Sequence, residues 1–126
     1  MATEKEISAF IRSQRSIWLY PKVRQALKDV LSSMPDRDYR KATKKLILMV
    51  LHEGAEGQLM HLPDQHGKFK VLQLSIATKA SMKLLRYVIA HELGHAMQGR
   101  NWRKGDGNRL EKDADRHAAK WGFRYP

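Results

Sequence analysis

The sequence predicts an α+β fold: N-terminal helices, a small sheet of three to four strands, and two further helices. Apolar residues recur at helical spacing over the first part of the chain and again after Ser81. Between Gly54 and Thr78 the pattern alternates instead and contains the turn cluster Pro63–Gly67. The 126 residues, 42% of them hydrophobic, suit one domain with its own core. We expect a helical part over residues 1–53, the sheet and last two helices over residues 54–121, and a tail over residues 122–126.

The first two helices are predicted from start signals. Thr3 and Glu6 form a capping box, which starts a helix that has an apolar side. Pro21 suits the first position of a second helix, which is expected to run to about Leu31. The three tryptophans are interpreted as core or helix-packing residues: Trp18, Trp102 and Trp121.

A third helix is expected from Asp36, which can cap it, to Gly54. Its apolar residues have helical spacing through Leu51. The run Leu46–Leu51 could instead be a buried strand, because periodicity alone does not separate the two.

The second half of the chain reads as a hairpin and two helices. Strands are expected over Gln58–Leu62 and Phe69–Ile76. A helix is expected from about Ser81 to a stop at Gly99. The last helix is expected to be capped by Asn108, and to end at Trp121 and Gly122.

Composition excludes some classes of protein and suggests some partners. There is no cysteine, so disulfide scaffolds, cysteine zinc sites and thiol catalysis are excluded. The net charge of +11 would attract nucleic acid or another polyanion, although it could equally serve only solubility. No secretory signal or membrane span is visible, so we expect a cytoplasmic protein without a membrane partner. The oligomeric state stays open.

The central motif is His91-Glu92-Leu93-Gly94-His95. Residues four apart share one face of a helix, so the two imidazoles can point at one metal ion. Glu92 could then act as the general base on a water molecule that the metal holds. Gly94 lies inside the helix, where it costs about 1 kcal/mol relative to alanine, so we expect something to pack closely there. The alternative is a buried helix whose histidines are satisfied by hydrogen bonds.

A catalytic metal needs a third protein ligand. In the metzincin extension a glycine and a third histidine would stand at Gln98 and Asn101, so that geometry fails. Glu111, on the last helix, is the candidate, and Asp106 and Asp113 are its rivals. Glu111 could instead belong to a capping box with Asn108, or be a solvated charge.

Two further features of the last helix favour Glu111. Asp115 shares its face, four positions on, and can accept a hydrogen bond from the ring of a ligand histidine. The small residues Ala114, Ala118 and Ala119 would let this helix approach the motif helix closely.

The motif together with Glu111-x-x-x-Asp115 resembles the gluzincin metallopeptidases, the group that includes thermolysin. It is most similar to the minimal single-domain minigluzincins and the ImmA/IrrE-like peptidases, over roughly residues 54–121. The resemblance implies that His91, His95 and Glu111 bind one zinc ion, that Glu92 is the general base, and that Asp115 orients His91.

The resemblance also implies how a substrate is held. It implies that a strand before the motif helix, about Val71–Ala77, binds an extended peptide by edge pairing. It further suggests that the tail after Gly122 partly covers the site. His117, Tyr87 and Tyr125 are candidate donors to the developing oxyanion. The remaining histidines, His52, His61 and His66, are interpreted as scattered rather than as a second ligand set.

The expected function is therefore a zinc metalloendopeptidase that hydrolyses a peptide or protein substrate. The alternative is a non-catalytic, zinc-containing basic module that binds nucleic acid or an acidic protein.

Overall fold

A computed structural model of the protein describes residues 2–51, 57–64, 67–75, 80–98 and 107–126. Helices and a three-stranded sheet are both present, which confirms the predicted α+β fold. Within these ranges, none of the helices has the length and apolar character needed to span a bilayer. The elements in chain order are α1 (Glu4–Ser13), a 3-10 turn (Arg15–Ile17), α2 (Pro21–Ser32), α3 (Asp36–Thr43), β1 (Leu46–Val50), β2 (Gly57–Asp64), β3 (Gly67–Leu74), α4 (Met82–Ala96) and α5 (Gly107–Lys120).

The first two helices begin where the sequence predicts. The Thr3 side chain accepts a hydrogen bond from the Glu6 backbone N–H at 3.1 Å. Pro21 is the first residue of α2, where its missing N–H costs nothing. Ile7 and Ile11 of α1 are buried, and so is one side of α2.

The third helix is shorter than predicted, and the strand alternative is the correct one. α3 ends at Thr43, and Lys45 has a φ of 54°, in the left-handed region that a helix does not continue through. Leu46–Val50 then forms β1, in which Leu46 and Leu48 are buried while Ile47 and Met49 are exposed. Alternation with period two is the strand pattern. The predicted all-helical part over residues 1–53 is therefore wrong, and the predicted stop at Gly54 lies outside the described residues.

The sheet has the order β1–β3–β2, with β1 parallel and β2 antiparallel to β3. The predicted hairpin is confirmed as β2 and β3, with Asp64 opposite Gly67 at its tip. The expectation that Val71–Ala77 is an edge strand is wrong: its described part, through Leu74, is central and paired on both sides. The reason is that β1, predicted as helix, occupies the outer position.

The outer edge of β1 is covered by side chains rather than by another strand. The Gln14 amide donates to the Leu46 carbonyl at 3.1 Å and accepts from the Leu48 N–H at 2.9 Å. The Ser16 hydroxyl donates to the Leu48 carbonyl. Exposed strand edges invite further pairing, and these contacts block it at β1.

The tryptophans differ from one another. Trp121 is buried as predicted, and its indole N–H donates to the buried Asp38 carboxylate at 2.9 Å. Trp18 is 65% exposed, so its predicted place in the core is wrong. The chain leaves helical geometry at Gln14, so Trp18 does not continue the apolar side of α1. Trp102 lies outside the described residues.

α5 begins at Gly107, so Asn108 is its second residue and not the predicted cap. Its end is as predicted. Gly122 has a φ of +100°, and the Phe123 N–H donates back to the Ala118 carbonyl at 2.9 Å. This is the usual geometry by which a glycine ends a helix.

α4 and α5 pack against each other at Gly94 and Ala114. A Cβ atom added to Gly94 would lie 2.6 Å from the carbonyl oxygen and 2.9 Å from the Cα of Ala114. The expectation that something packs closely at Gly94 is confirmed, and the backbone of α5 is what lies there.

We expect Gly94→Ala to lower the free energy of unfolding by about 1–3 kcal/mol, because the helices must move apart. Helix propensity alone predicts the opposite sign, because alanine in place of glycine would stabilise the helix by about 1 kcal/mol. Gly107→Ala is the matched control, because a Cβ there meets nothing within 4 Å. Urea denaturation of the three proteins measures the effect; a Gly94→Ala variant as stable as wild type would refute the close approach.

Candidate metal centre

One helix presents both histidines of the motif. Ser81 caps α4 by accepting the Leu84 N–H at 3.1 Å, and the helix then continues to Ala96. His91 and His95 therefore lie one turn apart, with ring centroids 4.9 Å from each other. Their side chains are only 12% and 16% exposed. The two imidazoles are therefore largely shielded, whereas the Glu111 side chain that meets them is 62% exposed.

Glu111 of α5 contacts both imidazoles. One carboxylate oxygen lies 2.8 Å from His91 Nε2, and the other lies 3.1 Å from His95 Nε2. Its rival Asp113 faces elsewhere, with its carboxylate on Arg116 at 2.6 Å. Asp106 lies outside the described residues. The structure therefore brings together His91, His95 and Glu111, the three residues predicted as ligands.

Asp115 lies behind His91, where it was expected. Its Oδ1 is 2.7 Å from His91 Nδ1 and also accepts the Tyr87 hydroxyl at 2.6 Å. Burial acts to raise the pKa of Asp115, but the hydrogen bonds from Tyr87 and His91 outweigh it and leave that pKa below its ordinary value. Asp115 is therefore an ionised acceptor, and His91 Nδ1 carries the proton.

The sequence does not predict two polar residues at the site. Gln98 occupies the position of the metzincin glycine, yet its Oε1 lies 2.9 Å from His95 Nδ1. His61 is interpreted from the sequence as scattered, yet it is buried on β2, and its Nε2 donates to the His95 carbonyl at 3.2 Å. Alternation along β2 places Leu59 and His61 on the same face, which is the one signal that could have linked His61 to α4. His52 and His66 lie outside the described residues.

The hydrogen-bond pattern favours a cation between the two imidazoles and the Glu111 carboxylate. With both Nδ1 atoms facing acceptors, a neutral ring of His91 or His95 turns its Nε2 lone pair towards the Glu111 carboxylate. Lone pairs at 2.8 and 3.1 Å repel unless a proton or a metal ion lies between them. Ligand atoms about 2.0–2.1 Å from a tetrahedral zinc lie about 3.3 Å apart, so each contact between Glu111 and an imidazole would lengthen by up to about half an ångström to admit the ion.

Glu92 completes a group that could hold a metal ion. One ligand atom from each of His91, Glu92 and His95 lies within 4.8 Å of the others. The Glu92 carboxylate is 4.0 Å from His91 Nε2, and its side chain is 10% exposed. Burial raises the pKa of Glu92, while His95, His91 and a hydrogen bond from the Leu59 backbone act in the opposite direction.

β2 reaches Glu92 because Gly57 has no side chain. A Cβ there would lie 2.5 Å from the Val88 Cγ1 and 3.1 Å from the Glu92 Cγ. The outer edge of β2, on which no described strand pairs, therefore borders the centre.

Two open cavities adjoin Glu92. One, of about 290 Å³, has His61, His95 and Gln98 in its wall. The other, of about 350 Å³, is bordered by His91 and by Tyr125 from the tail. Both cavities include Gly57 and Glu111, so they open on the two sides of the centre.

The three candidate oxyanion donors fall in different places. His117 stacks on Trp121 and lies 3.6 Å from the Asp113 carboxylate, away from the centre. The Tyr87 hydroxyl is committed to Asp115 behind His91. Burial and then Asp115 raise the pKa of Tyr87, so it remains a donor there. Tyr87 and Tyr125 both line the cavity beside His91, and Tyr125, which meets the Tyr87 ring edge-on at 5.3 Å, is 70% exposed.

Comparison with protein-family models, with curated proteins and with solved structures finds no match for this chain.

Proposed function

We propose that the protein is a zinc-dependent peptidase with one zinc ion held by His91, His95 and Glu111. The observation that carries the proposal is the Glu111 carboxylate, which lies within 3.1 Å of both Nε2 atoms beside a buried carboxylate, Glu92. Two imidazoles and one carboxylate are the protein ligands of many hydrolytic zinc sites, and they leave a fourth position open.

Glu92 is the proposed general base. Zinc bound there would polarise the scissile carbonyl and lower the pKa of a water molecule to about 7. Glu92 accepts the proton of the attacking water and passes it to the leaving amine. A carboxylate with a raised pKa is a stronger base than an ordinary glutamate, which suits the uptake of the proton from the water. The Leu59 backbone lies close enough to Glu92 to lower its pKa.

β2 is the proposed binding edge for an extended peptide, in place of the central β3. Its outer edge borders Glu92, whereas the outer edge of β1 is closed by Gln14. A peptide strand added to β2 would place its backbone beside the centre and its alternate side chains in the two cavities. The net charge of +11 favours acidic substrates.

The second candidate function is a non-catalytic, zinc-containing basic module that binds nucleic acid or an acidic protein, which the same charge favours. The two candidates differ in what they require of Glu92. Hydrolysis needs its proton transfer, whereas binding through the basic surface does not.

We expect Glu92→Gln to lower the rate of cleavage of an unfolded acidic protein by about 10²–10⁴-fold, because the amide cannot accept the proton. Zinc content, measured by elemental analysis, should remain one ion per chain. Glu4→Gln, at a side chain 81% exposed on α1, is the control and should leave both quantities unchanged. Equal cleavage by Glu92→Gln would exclude the peptidase mechanism, and a wild-type protein that binds zinc without cleavage would favour the binding module.

We expect Glu111→Gln to weaken zinc binding by at least about 10-fold, because a neutral amide replaces the charged oxygen ligand. Competition with a chromophoric chelator measures the affinity, with Glu4→Gln again as control. Unaltered zinc affinity in Glu111→Gln would remove Glu111 from the ligand set.

The tail gives a prediction about latency. Tyr125 borders the cavity beside His91, whereas Phe123 packs against the core and helps to end α5. Removing residues 124–126 should therefore open the cavity without loosening the helix. We expect a several-fold rise in kcat/KM, the size of a contact worth about 1 kcal/mol. Tyr125→Ala should reproduce the rise and Arg124→Ala should not; unchanged or lower activity after truncation would count against occlusion.

A further inference from the structure

Gln98 lies where the two helices of the centre meet, just beyond the end of α4. It is 9% exposed, and its backbone N–H donates to the His95 carbonyl at 3.1 Å. Its side-chain amide then turns back towards α5. A buried amide must find partners for one acceptor and two donors, and each partner here belongs to the candidate metal centre or to the helix that carries Glu111.

The three partners of the Gln98 amide are specific. Oε1 accepts from His95 Nδ1 at 2.9 Å. Nε2 donates to the Leu110 carbonyl at 2.8 Å and to the Asp113 carboxylate at 3.3 Å. Leu110 directly precedes Glu111, whose carboxylate reaches His95 Nε2 at 3.1 Å. One side chain therefore holds the far side of His95 and the turn of α5 that supplies the third candidate ligand.

These partners leave the amide one orientation. If it were flipped, Oε1 would face the Leu110 carbonyl and the Asp113 carboxylate, and both contacts would set acceptor against acceptor. With Oε1 fixed on His95, the amide favours the proton of a neutral ring on Nδ1, whereas the Glu111 carboxylate at Nε2 competes for it as long as no cation lies between them. With the proton on Nδ1, the Nε2 lone pair is directed at the centre, which is the tautomer that a metal ligand needs.

We propose that Gln98 is a positioning residue that fixes the tautomer of His95 and, through Leu110 and Asp113, the place of Glu111. Asp115, which lies on α5 itself, is the corresponding partner of His91. The proposal rests on the proposed metal site for its consequence, but its structural claim concerns the protein without metal.

The first test needs no metal and no activity. In metal-free protein with 15N-labelled histidine at alkaline pH, NMR should show a larger share of the Nδ1–H tautomer of His95 in wild type than in Gln98→Met, which is of similar size but lacks the amide. An equal share in the two proteins would overturn the proposal. A wild-type His95 wholly in the Nε2–H form would overturn it whether or not any variant folds.

The second test separates the two tasks through zinc affinity, measured by chelator competition. We expect Gln98→Met to bind zinc about 10–100-fold more weakly, as for other residues that orient a metal ligand. Gln98→Glu keeps an acceptor for His95 but loses both donors and places a second carboxylate beside Asp113. It should therefore also lose affinity, and Asp113→Asn added to it should restore part, because an amide can donate to the new carboxylate.

Gln25→Met is the matched control. Gln25 lies on the exposed side of α2, away from the centre, and its side-chain amide donates to the Asp29 carboxylate at 2.9 Å. Urea denaturation of the metal-free variants shows whether a loss is only of stability. Zinc affinity of Gln98→Met within about twofold of wild type would refute the positioning role. Gln98→Glu that binds zinc as tightly as wild type would refute the link to α5. A wild type that binds no zinc, with His95 in the Nδ1–H form, would refute the proposed function and leave Gln98 as the residue that fixes the ring.

Discussion

The close contact of Gly94 with the backbone of Ala114 sets the rest of the centre. Ala114 stands between Glu111 and Asp115 on α5, so the point of closest approach lies between the two carboxylates that reach the histidines. His91 and His95 flank Gly94 on α4 in the same way. A β-carbon at Gly94 would separate both pairs together, which explains why a residue unfavourable in helices occupies this position.

This contact allows a concentration of charge that is unfavourable without a cation. Glu92 is buried beside two imidazoles whose far nitrogens are already held by Asp115 and Gln98. Burying a carboxylate is costly, and lone pairs that face one another add to that cost. Apolar packing of α4 and α5 would not require such an arrangement. The arrangement therefore lowers the free energy of unfolding, and this cost, which packing does not require, is the physical reason to regard the centre as functional.

Parts of the site followed from helix geometry alone. The four-residue spacings of His91 with His95 and of Glu111 with Asp115 fix which side chains share a face, whatever the surrounding fold. The run Leu46–Val50 could not be assigned in this way. All five of its residues are apolar, so which side chains are buried is decided by the pairing with β3 and not by the sequence pattern. The contacts of Gln98 and His61 could not be predicted either. They depend on where α5 and β2 pack against α4, and no local sequence pattern specifies that packing.

Placing β1 in the sheet changes what the centre can bind. Once β1 pairs with β3, the sheet has two outer edges, and the amide of Gln14 occupies one of them. The other edge, along β2, passes Glu92 at the distance that Gly57 permits, and the Leu59 backbone is near enough to lower the pKa of that carboxylate. The same backbone that would pair with a peptide therefore also lies beside the proposed base. Binding a strand there would bring the proposed substrate and base together through one element, so the proposed activity depends on the reach of β2 towards α4.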